Sequence, residues 1–234
     1  GLAATADVIM SIYQNEEEAR KELKEDLYSP AMLSWAKNIL GSCSENAILF
    51  TNGDNDTYPL LYLQVKESYR TDVLVVNLSL LNTIPYISSL TRQIPGFESL
   101  PLDLSLTMDE IVQDEAGYVF VGDEQLIPPI ELETAISNLY HISNLKDGVY
   151  TLPSPDVKIS GGENVFDVVI SDKYLYRGDL VMFDIIGKNH MNRPVHFTER
   201  WTFNDSHGLG RYLELHGMVL NLMTEKVASS YISM

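Results

Sequence analysis

Cysteine is nearly absent from this chain of 234 residues, which holds one, Cys43. A single thiol cannot close an internal disulfide or build a thiolate zinc cage. It leaves the redox compartment open, because a secreted α/β domain of this size needs no disulfides. Cations are scarce as well: 16 Lys and Arg against 33 Asp and Glu give a net charge of −17. That excess argues against a nucleic-acid or anionic-membrane binder, since both surfaces are themselves negative. No apolar run approaches the ~20 residues of a spanning helix, so these residues read as soluble, with no membrane insertion of their own. Internal repeats and low-complexity tracts are missing. Gly1 to Met10 has neither a basic n-region nor an apolar core, so no signal peptide is read there. The abrupt start predicts a piece excised from a longer protein.

What is present is enough for a core. Apolar residues make up 45% and charged ones 21%, a balance outside the disordered class. Residues 1–28 read as an N-terminal helical arm and 29–234 as a single α/β domain, with a loop insertion around 95–165. Ser29-Pro30 is a helix start, with Ser as cap and Pro at the first position. Met32, Trp35, Ala36, Ile39 and Leu40 follow as one buried stripe ending at Gly41. Ala47 to Thr51 and Val73 to Leu78 read as buried strands, with a polar turn and a helix between them. That is a βαβ unit, so the two strands are expected to be parallel. Further helices are expected from Thr83 to about Ile94, from Thr107 to Asp114, from Ile130 to about Leu145 and from Arg177 to Asn189. Tyr118 to Val121, Val168 to Ser171, Pro194 to Thr198 and Met218 to Met223 read as strands. Pro153 to Gly162 reads as a loop. The pattern predicts a three-layer, Rossmann-like fold with a mostly parallel sheet and helices on both faces.

The first candidate site is the turn Asn52-Gly53-Asp54-Asn55-Asp56-Thr57. It sits at the carboxyl end of a presumed parallel strand, where ligands of open α/β sheets bind. Asp54 and Asp56, one residue apart, could share a divalent ion, as in nucleotide-sugar transferases. Against that, Asp, Asn, Gly and Thr are also the residues that make turns and cap helices. The EF-hand is excluded by its missing glycine and terminal glutamate. The second candidate is Asp184, a carboxylate inside an apolar helix. It needs a partner, and Arg193 just past the helix end is one. His190, His196, His207 and His216 cluster late in the chain without His-Glu-x-x-His spacing. Cys43 has no adjacent histidine, so a thiol nucleophile is unsupported. No nucleophile elbow, Walker loop or dinucleotide fingerprint occurs. Sequons stand at Asn55, Asn77 and Asn204.

The run Glu45-Asn46-Ala47-Ile48-Leu49-Phe50-Thr51-Asn52-Gly53-Asp54-Asn55-Asp56-Thr57-Tyr58-Pro59-Leu60 resembles the hallmark segment of a family of multi-spanning membrane proteins. That family, originally of unknown function, is similar to the transmembrane protein O-mannosyltransferases. The resemblance continues through Arg70-Thr71-Asp72-Val73 and Val75 to Thr83. It resumes at Asp179 to Met182 with Asp184, at Asn189, Arg193-Pro194 and Phe197, and closes on Gly210, Tyr212, Leu213 and Leu215. It covers about a third of the chain. Three aromatic positions of the family pattern are lost, at Leu61, Ile84-Pro85 and Met191, which weakens the case for a sugar-stacking surface carried over from the family.

The resemblance implies an extracytoplasmic, periplasmic region tethered to a membrane-embedded glycosyltransferase half that carries the catalytic carboxylate. The expected function is therefore a non-catalytic domain that docks an acceptor protein or braces its own membrane half. No catalytic residue and no cofactor are expected here. Asn52, Gly53, Asp54, Asn55, Asp56, Thr57, Asp184, Asn189 and Arg193 are the candidate binding residues. The alternative is a sugar- or nucleotide-sugar-binding module holding Mg²⁺ or Mn²⁺ on Asp54 and Asp56. A further alternative is a stand-alone secreted scaffold.

Overall fold

A computed structural model describes residues 21, 23–24, 26–123, 129–141, 144–161, 164–170, 172–198 and 208–227. The expected arm at 1–28 lies outside them except for 21, 23–24 and 26–28, where Leu23 is buried in the core. Helix α1 (Pro30–Ser42) starts as its sequence dictates, the Ser29 hydroxyl accepting from the Met32 N–H at 3.3 Å. Strand β1 (Ile48–Thr51) leads through the acidic turn into α2 (Asp54–Glu67), and β2 (Leu74–Asn77) follows. Both strands are wholly buried β-branched and apolar runs, and they pair in parallel with Ile48 opposite Leu74. The βαβ unit stands as the sequence predicts it. Helix α3 (Ile84–Leu90) is shorter than expected. The next helix, α4 (Met108–Gln113), carries a full capping box between Thr107 and Glu110.

After β3 (Tyr118–Val121) the expectation fails. Ile130 to Leu145 is not one helix. It is β4 (Ile130–Glu131), α5 (Leu132–Leu139) and the start of β5 (Leu145–Lys146). Strand β6 (Val149–Leu152) follows, and the stretch Pro153 to Gly162 read as a loop holds β7 (Asp156–Gly161), paired antiparallel with β8 (Asn164–Val169). Then come β9 (Tyr174–Tyr176) and α6 (Arg177–Asn189), whose bounds match the sequence reading. The last strands are β10 (Val195–Phe197), β11 (Leu213–His216) and β12 (Val219–Leu222).

The Rossmann-like, mostly parallel sheet is therefore corrected. Three mixed sheets take its place, ordered β11-β12-β10-β1-β2, β5-β6-β3-β9 and β4-β7-β8. Antiparallel pairs outnumber parallel ones, five to four, among the described residues. The reason is connection length. A parallel pair needs a crossover of a dozen or more residues, and β5–β6, β7–β8 and β11–β12 are joined too tightly for one. Within the five-stranded sheet β10-β1-β2 keeps the parallel arrangement, and β3–β6 and β4–β7 are parallel pairs in the two smaller sheets. The β11–β12 turn requires its glycine: Gly217 has φ +60°, and a Cβ there would collide with the Ser42 hydroxyl. That hydroxyl instead accepts from the Met218 N–H at 3.0 Å, seating the hairpin on the end of α1.

Entry to β1 is fixed by Arg70. Its guanidinium grips Asp72 with two nitrogens and donates to the carbonyls of Leu40, Cys43 and Ser44, which lie at or past the end of α1. Hydrogen bonding from Arg70 holds the Asp72 carboxyl below the usual carboxylate range.

Candidate functional site

The acidic turn forms at the junction of β1, β2 and β10. Asp56, in the first turn of α2, folds back on the chain that precedes it. One oxygen accepts from the Gly53 N–H at 2.7 Å. The other accepts from the Asn52 N–H at 2.8 Å and from the Thr198 hydroxyl at 2.7 Å. Its negative charge also complements the helix N-terminus. Thr57 is fully buried behind it, its hydroxyl 2.6 Å from that of Thr51 and accepting from the Asn77 amide at 2.8 Å. Asn77 in turn caps the Leu80 N–H, and Ser79 donates to the Asn52 carbonyl. These contacts, part to backbone and part between side chains, hold the carboxyl ends of the parallel strands together.

Asp54 and Asn55 differ from Asp56 in being exposed. Asp54 accepts a hydrogen bond from Tyr58. That hydroxyl is pushed up to about 12, first by burial and then by Asp54. Burial and the Asp54 charge push the Tyr28 hydroxyl to about 12 as well. In front of the turn lies a cleft of about 630 Å³. Its far wall is α1, with Met32 and Trp35 facing Asn52, Asp54 and Asn55. The apolar stripe thus divides: Ala36, Ile39 and Leu40 are core, while Met32 is 36% exposed and Trp35 is half-buried. The spacing alone places Trp35 on the buried stripe, and no local signal separates the two fates.

The second group of candidates has a different job. Asp184 is buried, and one of its oxygens accepts from the backbone N–H groups of Ser105 (2.8 Å) and Leu106 (3.0 Å). Burial pushes its carboxyl above the usual range, and these bonds oppose the shift. The expected pairing with Arg193 does not exist. Arg193 donates instead to the carbonyls of Asn46 (3.0 Å) and Leu100 (2.8 Å), and burial lowers its guanidinium to about 10. Asn189 both accepts from the Asp103 N–H and donates to the Asp103 carbonyl. Together Asp184, Asn189 and Arg193 clamp the irregular chain from Leu100 to Leu106 by hydrogen bonds to its backbone. None of them lines the cleft at the acidic turn. A separate cavity of about 280 Å³ borders Asp184, and on its walls Lys188 pairs with Glu133 and Ser160 with Glu131.

His196 is fully buried on β10 and accepts from the Ser44 N–H through Nε2 at 3.0 Å. His207 and the sequon at Asn204 lie outside the described residues. Asn77 is buried within the strand ends. Burial pushes the Cys43 thiol to about 12, so it is inert at neutral pH. Among the described residues no group of three or more His, Cys, Asp or Glu gathers as a metal site. Asp56 fits a metal poorly, because both its oxygens already hold the turn. Asp56→Ala is expected to cost about 1–2 kcal/mol by freeing two backbone N–H groups, whereas Asp54→Ala stays within about 0.5 kcal/mol. Chemical denaturation of both variants measures the difference.

The fold and these contacts define a mixed α/β domain whose buried polar residues hold irregular backbone in place. The chain belongs to the TMEM260-associated domain 2 family, whose model matches residues 32–160 and 158–233. It is accordingly a domain of a membrane-protein family. Comparison with curated proteins and with solved structures found no match. No described helix is long and apolar enough to cross a membrane.

Proposed function

We propose that this chain is a non-catalytic, extracytoplasmic domain of a glycosyltransferase-like membrane protein similar to the O-mannosyltransferases. It docks an acceptor protein or braces the membrane-embedded half of its own parent. The observation that carries the reading is how the candidate polar residues are used. Asp56, Asp184, Asn189 and Arg193 each bind the chain's own backbone, a use that fits scaffold rather than acid–base chemistry at a substrate. Family membership supplies the membrane-protein context. In this reading the catalytic carboxylate and the lipid-linked sugar site belong to the membrane-embedded half. The purified chain, incubated alone with lipid-linked or nucleotide-sugar donors, is expected to transfer no sugar. Turnover by the chain alone would refute the reading.

The cleft favours a second reading, a sugar-binding module. Trp35 offers an apolar ring opposite the polar side chains of Asn52, Asp54 and Asn55, in a volume typical of small-ligand sites. Its metal-dependent form asks Asp56 to release Thr198 and two backbone N–H groups. Calorimetry with Mn²⁺ or Mg²⁺, with and without a nucleotide sugar, separates the readings. Heat that disappears in Asp54→Ala supports the module, and no heat supports the docking domain.

A further inference from the structure

Strands β3 and β9 pair antiparallel, with Tyr118 opposite Tyr176 and Phe120 opposite Tyr174. Their alternation is strict. Val119 and Leu175 are buried, while Phe120 is 42%, Tyr174 44% and Tyr176 52% exposed. Four aromatic rings therefore share the outward face of an edge pair, because β9 ends its sheet. The rings meet edge to face, Tyr118 against Phe120 at 5.7 Å and against Tyr174 at 6.1 Å, and Tyr174 against Tyr176 at 5.3 Å. These contacts fix the rings' orientation, so little freedom is lost on binding. A cluster of large exposed aromatics without charge at its centre has the composition of an interface core.

The rim supplies the sign of the partner. Asp172 and Asp123 are exposed beside the ends of β9 and β3, and Asp179 lies against Tyr176, accepting from its N–H. One exposed cation, Lys173, stands against them. The chain as a whole carries −17. Aromatic faces bordered by carboxylates attract guanidinium and ammonium groups, and the net charge steers them in.

We infer that the outward face of β3 and β9 docks a polypeptide segment rich in Arg and Lys, which it holds by cation–π contact. The inference rests on the docking reading above and identifies the surface and the chemistry of its partner. The test uses a nona-arginine peptide titrated into the 234-residue chain. Calorimetry reads the affinity, and NMR reads the ring protons of Tyr118, Phe120, Tyr174 and Tyr176. Binding is expected, with shifts at these rings and at least a tenfold weaker affinity in Y174S/Y176S, which keeps the net charge. Circular dichroism checks that the variant folds, and Tyr176→Ser alone serves if the double variant does not. An unchanged affinity in the variants would reduce the effect to bulk charge and overturn the inference. Equal loss of binding to phosphatidylcholine vesicles in the same variants would overturn it in favour of a bilayer. Absence of nona-arginine binding would also overturn it. The docking reading itself would then still be tested by co-purification with the membrane half in the full-length parent.

Discussion

Asp184→Ala is expected to lower the unfolding free energy by about 3 kcal/mol, or roughly 10 °C in Tm for a chain of this size. The loss comes from two backbone N–H groups, the part-buried one of Ser105 and the buried one of Leu106, which the carboxylate oxygen now satisfies. An alanine leaves both without an acceptor and frees one anchor of the 100–106 segment. Asp184→Asn distinguishes the acceptor from the charge. Its amide oxygen can take the same two bonds, so its cost should stay within about 1 kcal/mol. The direction with pH follows from the raised carboxyl. The folded protein keeps its proton where the unfolded chain has lost it, so ionising Asp184 costs stability as pH rises above 3.8. The Asn variant lacks that dependence. Thermal melts of all three proteins across the acidic range measure both effects.

Acidification is expected to act through His196 in the opposite direction. Burial, together with the nearby His216 and Arg70 charges, lowers its imidazole from 6.5 to about 4. Nε2 accepts from the Ser44 N–H, so the neutral ring carries its proton on Nδ1 and a second proton would break that bond. Between 6.5 and about 4 the unfolded chain binds a proton that the folded protein refuses. Stability is therefore intact above 6.5 and falls through this window, by roughly 3 kcal/mol at about 1.36 kcal/mol per pH unit. His196→Gln keeps an acceptor near the Nε2 position and cannot titrate. Urea unfolding at pH 7 and pH 4.5 should show a markedly smaller drop for this variant. An equal drop in both proteins would remove His196 as the cause.

Elements with local signals were legible in the residues alone. Ser29-Pro30 started α1, and Thr107 with Glu110 set the start of α4. The buried runs on either side of the acidic turn made β1 and β2 parallel neighbours, and the apolar interior of residues 177–189 marked α6. At the turn, the choice of Asp, Asn, Gly and Thr was legible as turn and cap chemistry, which Asp56 performs within four residues of its partners Asn52 and Gly53.

Tertiary structure decided the rest. Strands of two to four residues such as β4, β5 and β9 carry too few positions for alternation to speak, and β7 hides in a stretch rich in Pro and Gly. Whether a polar side chain forms a site or a scaffold depended on partners far along the chain. Asp184 meets Ser105 across 79 residues, Arg193 meets Asn46 across 147, and His196 meets Ser44 across 152. No local pattern encodes such pairs, because the need for a partner arises only once folding has removed water from both groups. Trp35 belongs to the same class: its spacing places it on an apolar stripe, but only the packing of α1 beside the acidic turn leaves its ring half open to the cleft.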